Sequence, residues 1–118
     1  MSSTVLVVED NPTLRMIIAD ALHMLPVNVI ECSSAEEALH ELKKSTRFDL
    51  VLTDIRMPGA IDGLGLARII WVAWPQLPVV LTSGHCVLTQ EQLPDHSTFM
   101  AKPWSLDLLF ETVRARLA

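Results

Sequence analysis

Four places along the chain carry groups that could do chemistry, and each follows an apolar run of strand length. Glu9 and Asp10 follow "TVLVV", Asp54 closes "LVLTD", Ser83 closes "PVVLTS" and Lys102 follows "TFMA". Three carboxylates brought to one pocket repel each other unless a cation joins them, and oxygen-only ligands with room for water suit Mg²⁺. A lysine ammonium and a serine hydroxyl beside that cation are suited to hold a phosphoryl group on a carboxylate. The chemistry of such a set is aspartyl phosphate formation. Taken singly, each residue has an ordinary explanation. Acids at a helix start complement its dipole, an Asp ahead of Pro58-Gly59 forms turns, and a lone serine or lysine satisfies backbone or solvent. The functional weight lies in the set, which matters only if the fold brings it together.

The elements needed to do so are legible. After "TVLVV", Leu14, Ile18, Ala21, Leu22 and Leu25 share one face at helical spacing. Asp10 or Asn11 is placed to cap this helix, with Pro12 in its first turn. "VNVIEC" is a second β-branched run, and "SAEEALHELKK" follows with a capping box from Ser34 to Glu37 and an inward face of Ala38, Leu39 and Leu42. "FDLVLTD" is a third strand. Asp62-Gly63 opens the helical "GLGLARIIWVAW", which ends before Pro75. "PVVLTS" is a fourth strand and "TFMAK" a fifth. Between them "GHCVLTQEQLPDHS" is broken by Pro94 and lacks an apolar face, so one or two turns at most belong there. Ser105 caps a last helix with Leu106, Leu109, Phe110, Val113 and Leu117 inward.

Five almost wholly apolar strands, each followed by a helix or its remnant, predict an open α/β sandwich with a parallel sheet covered on both faces. Right-handed crossovers then put every strand's C-terminal end on one edge, where such sheets bind ligands. Glu9, Asp10, Asp54, Ser83 and Lys102 all fall on that edge.

A chain of 118 residues, half of them apolar, fits one domain with a real core. The formal charge of −5 and the lack of a Lys/Arg-dense patch argue against nucleic-acid binding, which rests on neutralising phosphates. Cys32 and Cys86 have no CxxC spacing and read as ordinary buried or half-buried thiols, suited to a reducing cytosol. His23, His40, His85 and His96 show no metal-ligand spacing. No signal peptide or membrane-length run is present in the sequence, so a cytoplasmic protein without membrane contact is expected. Trp71, Trp74 and Trp104 read as packing residues.

The order and spacing of "VVEDNP", "DLVLTDIRMPGAIDG", "PVVLTSG" and "KPW" give the identification its force: from Val5 to about Leu117 the sequence resembles the receiver domain of two-component response regulators, of the stand-alone type. The resemblance implies a flavodoxin-like three-layer α/β/α sandwich with strand order 2-1-3-4-5, the fourth helix here being short or degraded. It implies that Asp54 takes a phosphoryl group from the phosphohistidine of a histidine kinase or histidine phosphotransfer protein. Asp10 would be a direct Mg²⁺ ligand, Glu9 would act mainly through water, and Arg56 would lend its backbone carbonyl. Lys102 would pair with the phosphoryl oxygens, Ser83 would hydrogen-bond them, and Phe99 would turn inward as Ser83 moves. The Lys102-Pro103 peptide is cis in the family. Residues 1–118 then read as one receiver domain without an output domain, passing its signal to an unknown downstream protein and catalysing only its own phosphorylation and dephosphorylation.

The departures from the family pattern are a short segment between Ser83 and Lys102 and one extra residue in "MPGAIDG". Arg56 and His85 stand two places beyond Asp54 and Ser83, positions that in this family influence how fast water removes the phosphoryl group; bulky side chains there are expected to slow its loss. Two other classes are weaker. A metal-dependent phosphohydrolase with an Asp nucleophile usually carries a second Asp two residues on, where this chain has Arg56. A binding module on the receiver scaffold that is never phosphorylated is expected to lack the acceptor or the lysine, and both are present.

Overall fold

The computed structural model describes residues 3–44 and 47–118. Its elements, in chain order, are β1 (Ser3–Val8), α1 (Pro12–Leu22), β2 (Val27–Cys32), α2 (Ala35–Leu42), β3 (Leu50–Asp54), α3 (Gly63–Ala73), β4 (Val79–Ser83), β5 (Ser97–Ala101) and α4 (Leu106–Leu117). The strands form one parallel sheet in the order β2-β1-β3-β4-β5. Register aligns Val8 with Thr53, Asp54 with Thr82 and Ser83 with Ala101, so the strands finish together on one edge.

The central strands β1, β3 and β4 are buried on both sides, neighbouring residues pointing to opposite faces, whereas the edge strands β2 and β5 are partly exposed. Leu6, Val8, Val51, Val79 and Leu81 pack against Ala38 and Leu42 of α2 and Leu66 and Ile70 of α3. Val5, Val7, Leu50, Leu52 and Val80 pack against Ile18 and Leu22 of α1 and Leu109 and Val113 of α4. This is the three-layer sandwich expected from the sequence. Among the described residues no helix is long and apolar enough to cross a membrane.

Capping decides which acids remain free. At α1 the cap is Asn11, whose side-chain oxygen accepts from the Thr13 and Leu14 amides at 3.0 and 3.1 Å; Asp10 is left out of that role. At α2, Ser34 Oγ accepts from the Glu37 amide at 3.1 Å, but the expected capping box is only half made, because the Glu37 carboxylate turns to Ser33 Oγ at 3.2 Å. Ser34→Ala is therefore expected to cost about 1 kcal/mol, read as a lower denaturant midpoint at unchanged slope. Asp62 and Ser105 cap α3 and α4 through the amides of Gly65 and Leu108.

Three expectations need correction or narrowing. Leu106, expected inward, is about half exposed, because the first turn of α4 overhangs a groove shared with Gly84, Lys102 and Pro103, past the strand ends. Cys86 lies exposed in the β4–β5 connection, whereas Cys32 is buried with its thiol pushed up to about 12 by that burial. The β4–β5 connection itself contains one 3₁₀ turn, Gln90–Gln92, anchored by buried Leu93 and by Gln90 Nε2 donating to the Ser97 carbonyl at 2.8 Å. Pro94 and the lack of an apolar face leave nothing for a longer helix to bury.

Candidate functional site

The strand-end groups expected to meet do so. Glu9, one residue past β1, is 2% exposed, and Asp54, the last residue of β3, is 8% exposed. With exposed Asp10 they place carboxylate oxygens within 4.8 Å of one another. Lys102, one residue past β5, reaches across with Nζ 3.3 Å from Asp54 Oδ1 and 3.5 Å from Glu9 Oε1. The other oxygen of Glu9 accepts from the Asn11 amide at 3.1 Å, which fixes the carboxylate toward the loop.

One ammonium does not balance this set. Burial raises the Glu9 carboxyl above its ordinary value, against the lowering effects of the Asn11 amide and Lys102. Burial likewise raises Asp54, outweighing Lys102, and the Asp10 charge adds to the rise. The cluster is thus short of positive charge while offering only oxygen ligands and one side open to water. That donor set fits Mg²⁺, which takes carboxylates and keeps several waters.

Ser83 ends β4, and its buried hydroxyl accepts from the amides of His85 at 3.0 Å and Cys86 at 3.3 Å. The Lys102 amide donates to the Ser83 carbonyl at 3.0 Å. Phe99 lies on β5 opposite Leu81, half-buried against the α2–α3 side of the core. Arg56 and His85 are exposed on the two loops flanking the site, Arg56 sharing a shallow rim with Met57, Pro58 and Asp62. The Lys102–Pro103 peptide is cis. The longer loop after β3 turns at Gly59, whose φ of 121° suits a residue without a Cβ, and Glu36 of α2 holds it by accepting from the Ala60 amide at 2.8 Å.

Several contacts at the site were not visible in the sequence. Arg15 of α1 donates to the Glu9 carbonyl at 2.9 Å and lies 3.7 Å from Glu31, bracing the acidic loop. Trp104, expected to pack, also donates its indole N–H to Thr82 Oγ1 at 3.1 Å. Gly63 presses directly on the backbone of Asp54. The sole sequence signal for any of these is the cap-and-glycine start of α3, which marks the helix but not the contact.

Comparison with known proteins gives the chain's family. The family model for the response regulator receiver domain matches residues 5–114. The chain belongs to the response regulator receiver family. As a receiver domain it is 34% identical over 114 residues to the C4-dicarboxylate transport transcriptional regulatory protein DctD of Rhizobium meliloti, covering 94% of this chain and 24% of that protein. It is 32% identical over 112 residues to the sensor histidine kinase RcsC of Salmonella typhimurium, covering 92% of this chain and 12% of RcsC. The chain thus spans a quarter or less of these relatives. A crystal structure of a response regulator receiver protein from Sinorhizobium medicae superposes with a TM-score of 0.89 at 30% identity, over 98% of this chain and 94% of that one. Receiver domains are signalling modules of two-component systems, and this one carries a cluster of three acidic residues at the C-terminal edge of its sheet.

Proposed function

We propose that this receiver domain accepts a phosphoryl group on Asp54 from the phosphohistidine of a histidine kinase or histidine phosphotransfer protein, in the cytoplasm, and passes the change to a partner protein. The observation that carries the proposal is the meeting of Asp54, Lys102 and the two acids Glu9 and Asp10 at one sheet edge. An Asp54 carboxylate oxygen forms the new P–O bond as the P–N bond to the imidazole breaks, and the released imidazole nitrogen takes a proton from water. Asp10, Asp54 and the Arg56 carbonyl would hold Mg²⁺ directly, with Glu9 acting through water. When bound, the ion would neutralise phosphoryl charge and orient the transferring group. Lys102 needs little displacement to pair with a phosphoryl oxygen on Asp54, since its Nζ already lies 3.3 Å from that carboxylate. Ser83 would exchange its loop amides for the phosphoryl group, with Phe99 turning inward behind it. A phosphoryl group shifts the surface only through better bonds in one state than in the other, and Ser83 and Lys102 are the groups that can supply them.

The test is intact-mass analysis after incubation with acetyl phosphate or phosphoramidate, with and without Mg²⁺. A metal-dependent adduct that is acid-stable and base-labile supports the proposal. No adduct under any metal condition supports a binding module, and steady donor consumption without an adduct supports a phosphohydrolase.

Two further results are expected from the same assay. Lys102→Ala removes the ammonium that now offsets Glu9 and Asp54, so Mg²⁺ should bind more tightly while adduct formation slows by on the order of 10²-fold, the effect of losing one preorganised charge partner. Arg56→Ala and His85→Ala should each speed phosphoryl loss severalfold by opening the flanks of Asp54 to water. Unchanged release time courses in both variants would refute the shielding role.

A further inference from the structure

The end of β4 and the turn after β5 are tied together twice. The Lys102 amide donates to the Ser83 carbonyl at 3.0 Å, and two residues on, beyond Pro103, the Trp104 indole N–H donates to Thr82 Oγ1 at 3.1 Å. Pro103 offers no N–H of its own, and the second tie comes from a side chain. Thr82 is 1% exposed, and without the indole its buried hydroxyl would lose the hydrogen-bond partner it has among the described residues. The two bonded pairs bracket Ser83 and Lys102, the hydroxyl and ammonium assigned above to the phosphoryl group.

We propose that Trp104 is a positioning residue: its bond to Thr82 holds Ser83 and Lys102 as one phosphate-binding unit. Ser83 follows Thr82 directly and Lys102 precedes Trp104 by two residues, so neither backbone moves without carrying the other. The same indole forms a wall of the open groove of about 610 Å³ lined by Leu14, Ile17 and Leu106. Displacement of Ser83 or Lys102 toward a phosphoryl group therefore moves the groove wall as well. Trp104 lies in a partly exposed position, and a residue used for packing alone could be a phenylalanine there; the indole nitrogen is the atom that makes the tie.

The inference rests on the phosphoacceptor reading, and its test separates the two. Beryllofluoride serves as a phosphoryl mimic, with binding to the whole chain followed by fluorine NMR in the presence of Mg²⁺, and Mg²⁺ affinity is measured separately. Trp104→Phe keeps an aromatic ring and deletes the N–H; Thr82→Val keeps the shape and deletes the acceptor. Each is expected to weaken beryllofluoride binding by about fivefold to tenfold, the value of one hydrogen bond, without weakening Mg²⁺ binding, since a loosened Lys102 competes less with the ion for Glu9 and Asp54. The double variant should be no weaker than either single one, because both remove the same interaction. Thr82→Ser, which restores the hydroxyl, should bind as the wild type does. Wild-type affinity in both Trp104→Phe and Thr82→Val, with only their melting temperatures lowered, would reduce the pair to packing and overturn the inference alone. Losses that add in the double variant would overturn it too. Failure of the wild type to bind beryllofluoride at all would overturn the phosphoacceptor reading and this inference with it.

Discussion

Asp54→Asn is expected to abolish the phosphoryl adduct completely while making the metal-free protein more stable. The loss follows from chemistry. A neutral amide has no carboxylate oxygen to form the acyl phosphate; Glu9, although 3.5 Å from Lys102, is more deeply buried than Asp54 and has its other oxygen tied to the Asn11 amide, and exposed Asp10 makes no ion pair with Lys102 among the described residues. The gain follows from electrostatics. Burial holds the carboxyls of Glu9 and Asp54 above their ordinary values of 4.5 and 3.8, so each keeps its proton to higher pH in the folded chain than in the unfolded one. Between the ordinary and the raised value the folded state binds more protons, and stability falls as pH rises through that window. Above that window the wild type bears this cost, whereas Asp54→Asn removes one of the crowded charges. Metal-free thermal melts at pH 7 should show a higher midpoint for the variant, and Mg²⁺ should raise the wild type more than the variant. A variant less stable than wild type at neutral pH would contradict the electrostatic account without touching the assignment of the acceptor.

Gly63→Ala should cost about 3 kcal/mol, although it adds a single methyl group at a helix start. A Cβ at position 63 would overlap the carbonyl oxygen of Asp54 and lie 2.7 Å from its carbonyl carbon and 2.9 Å from Ile55 Cα. These are backbone atoms of a central strand end, and they cannot swing aside as a side chain tip can. The Gly63 amide also donates to the Ile55 carbonyl at 2.8 Å, so moving α3 away breaks that bond. Relief requires shifting the helix or the acceptor's own peptide, which places the variant at or beyond the usual upper range for overpacking. Urea denaturation gives the stability, and adduct formation in the folded fraction should also be slower, because the Asp54 backbone is displaced. Gly65→Ala is the control. Its Cβ would sit 3.4 Å from Ile61 Cβ and 3.5 Å from Asp62 Oδ1, in a helix where alanine is favoured over glycine, so stability should be unchanged or slightly raised.

The contrast between these glycines shows what the sequence could and could not reveal. The five strands, the two helical layers and the strand-end position of Glu9, Asp54, Ser83 and Lys102 depend on hydrophobic periodicity, which is written locally in the chain, whereas the strand order was implied by the family resemblance. The breakdown of the β4–β5 helix was legible for the same reason, since Pro94 and a missing apolar face are local facts. Contacts through space were not. Gly63 against Asp54, Arg15 on the Glu9 carbonyl and Trp104 on Thr82 join residues whose proximity follows only from crossover geometry. Competition among near-equivalent partners was likewise undecided: Asn11 rather than Asp10 caps α1, and Glu37 prefers Ser33 to completing its box. Leu106 fits an inward helical face by spacing, yet it lies beyond the end of the sheet that the face would cover.

The most direct measurement is the position of the phosphoryl group. After incubation with phosphodonor and Mg²⁺, borohydride reduction converts an aspartyl phosphate to homoserine, which peptide mass mapping then locates in the chain. Homoserine at position 54, dependent on donor and Mg²⁺, is the predicted result. Homoserine at position 10, phosphate on a histidine, or unmodified Asp54 in a chain that has taken up phosphate would contradict the assignment of Asp54 as the acceptor.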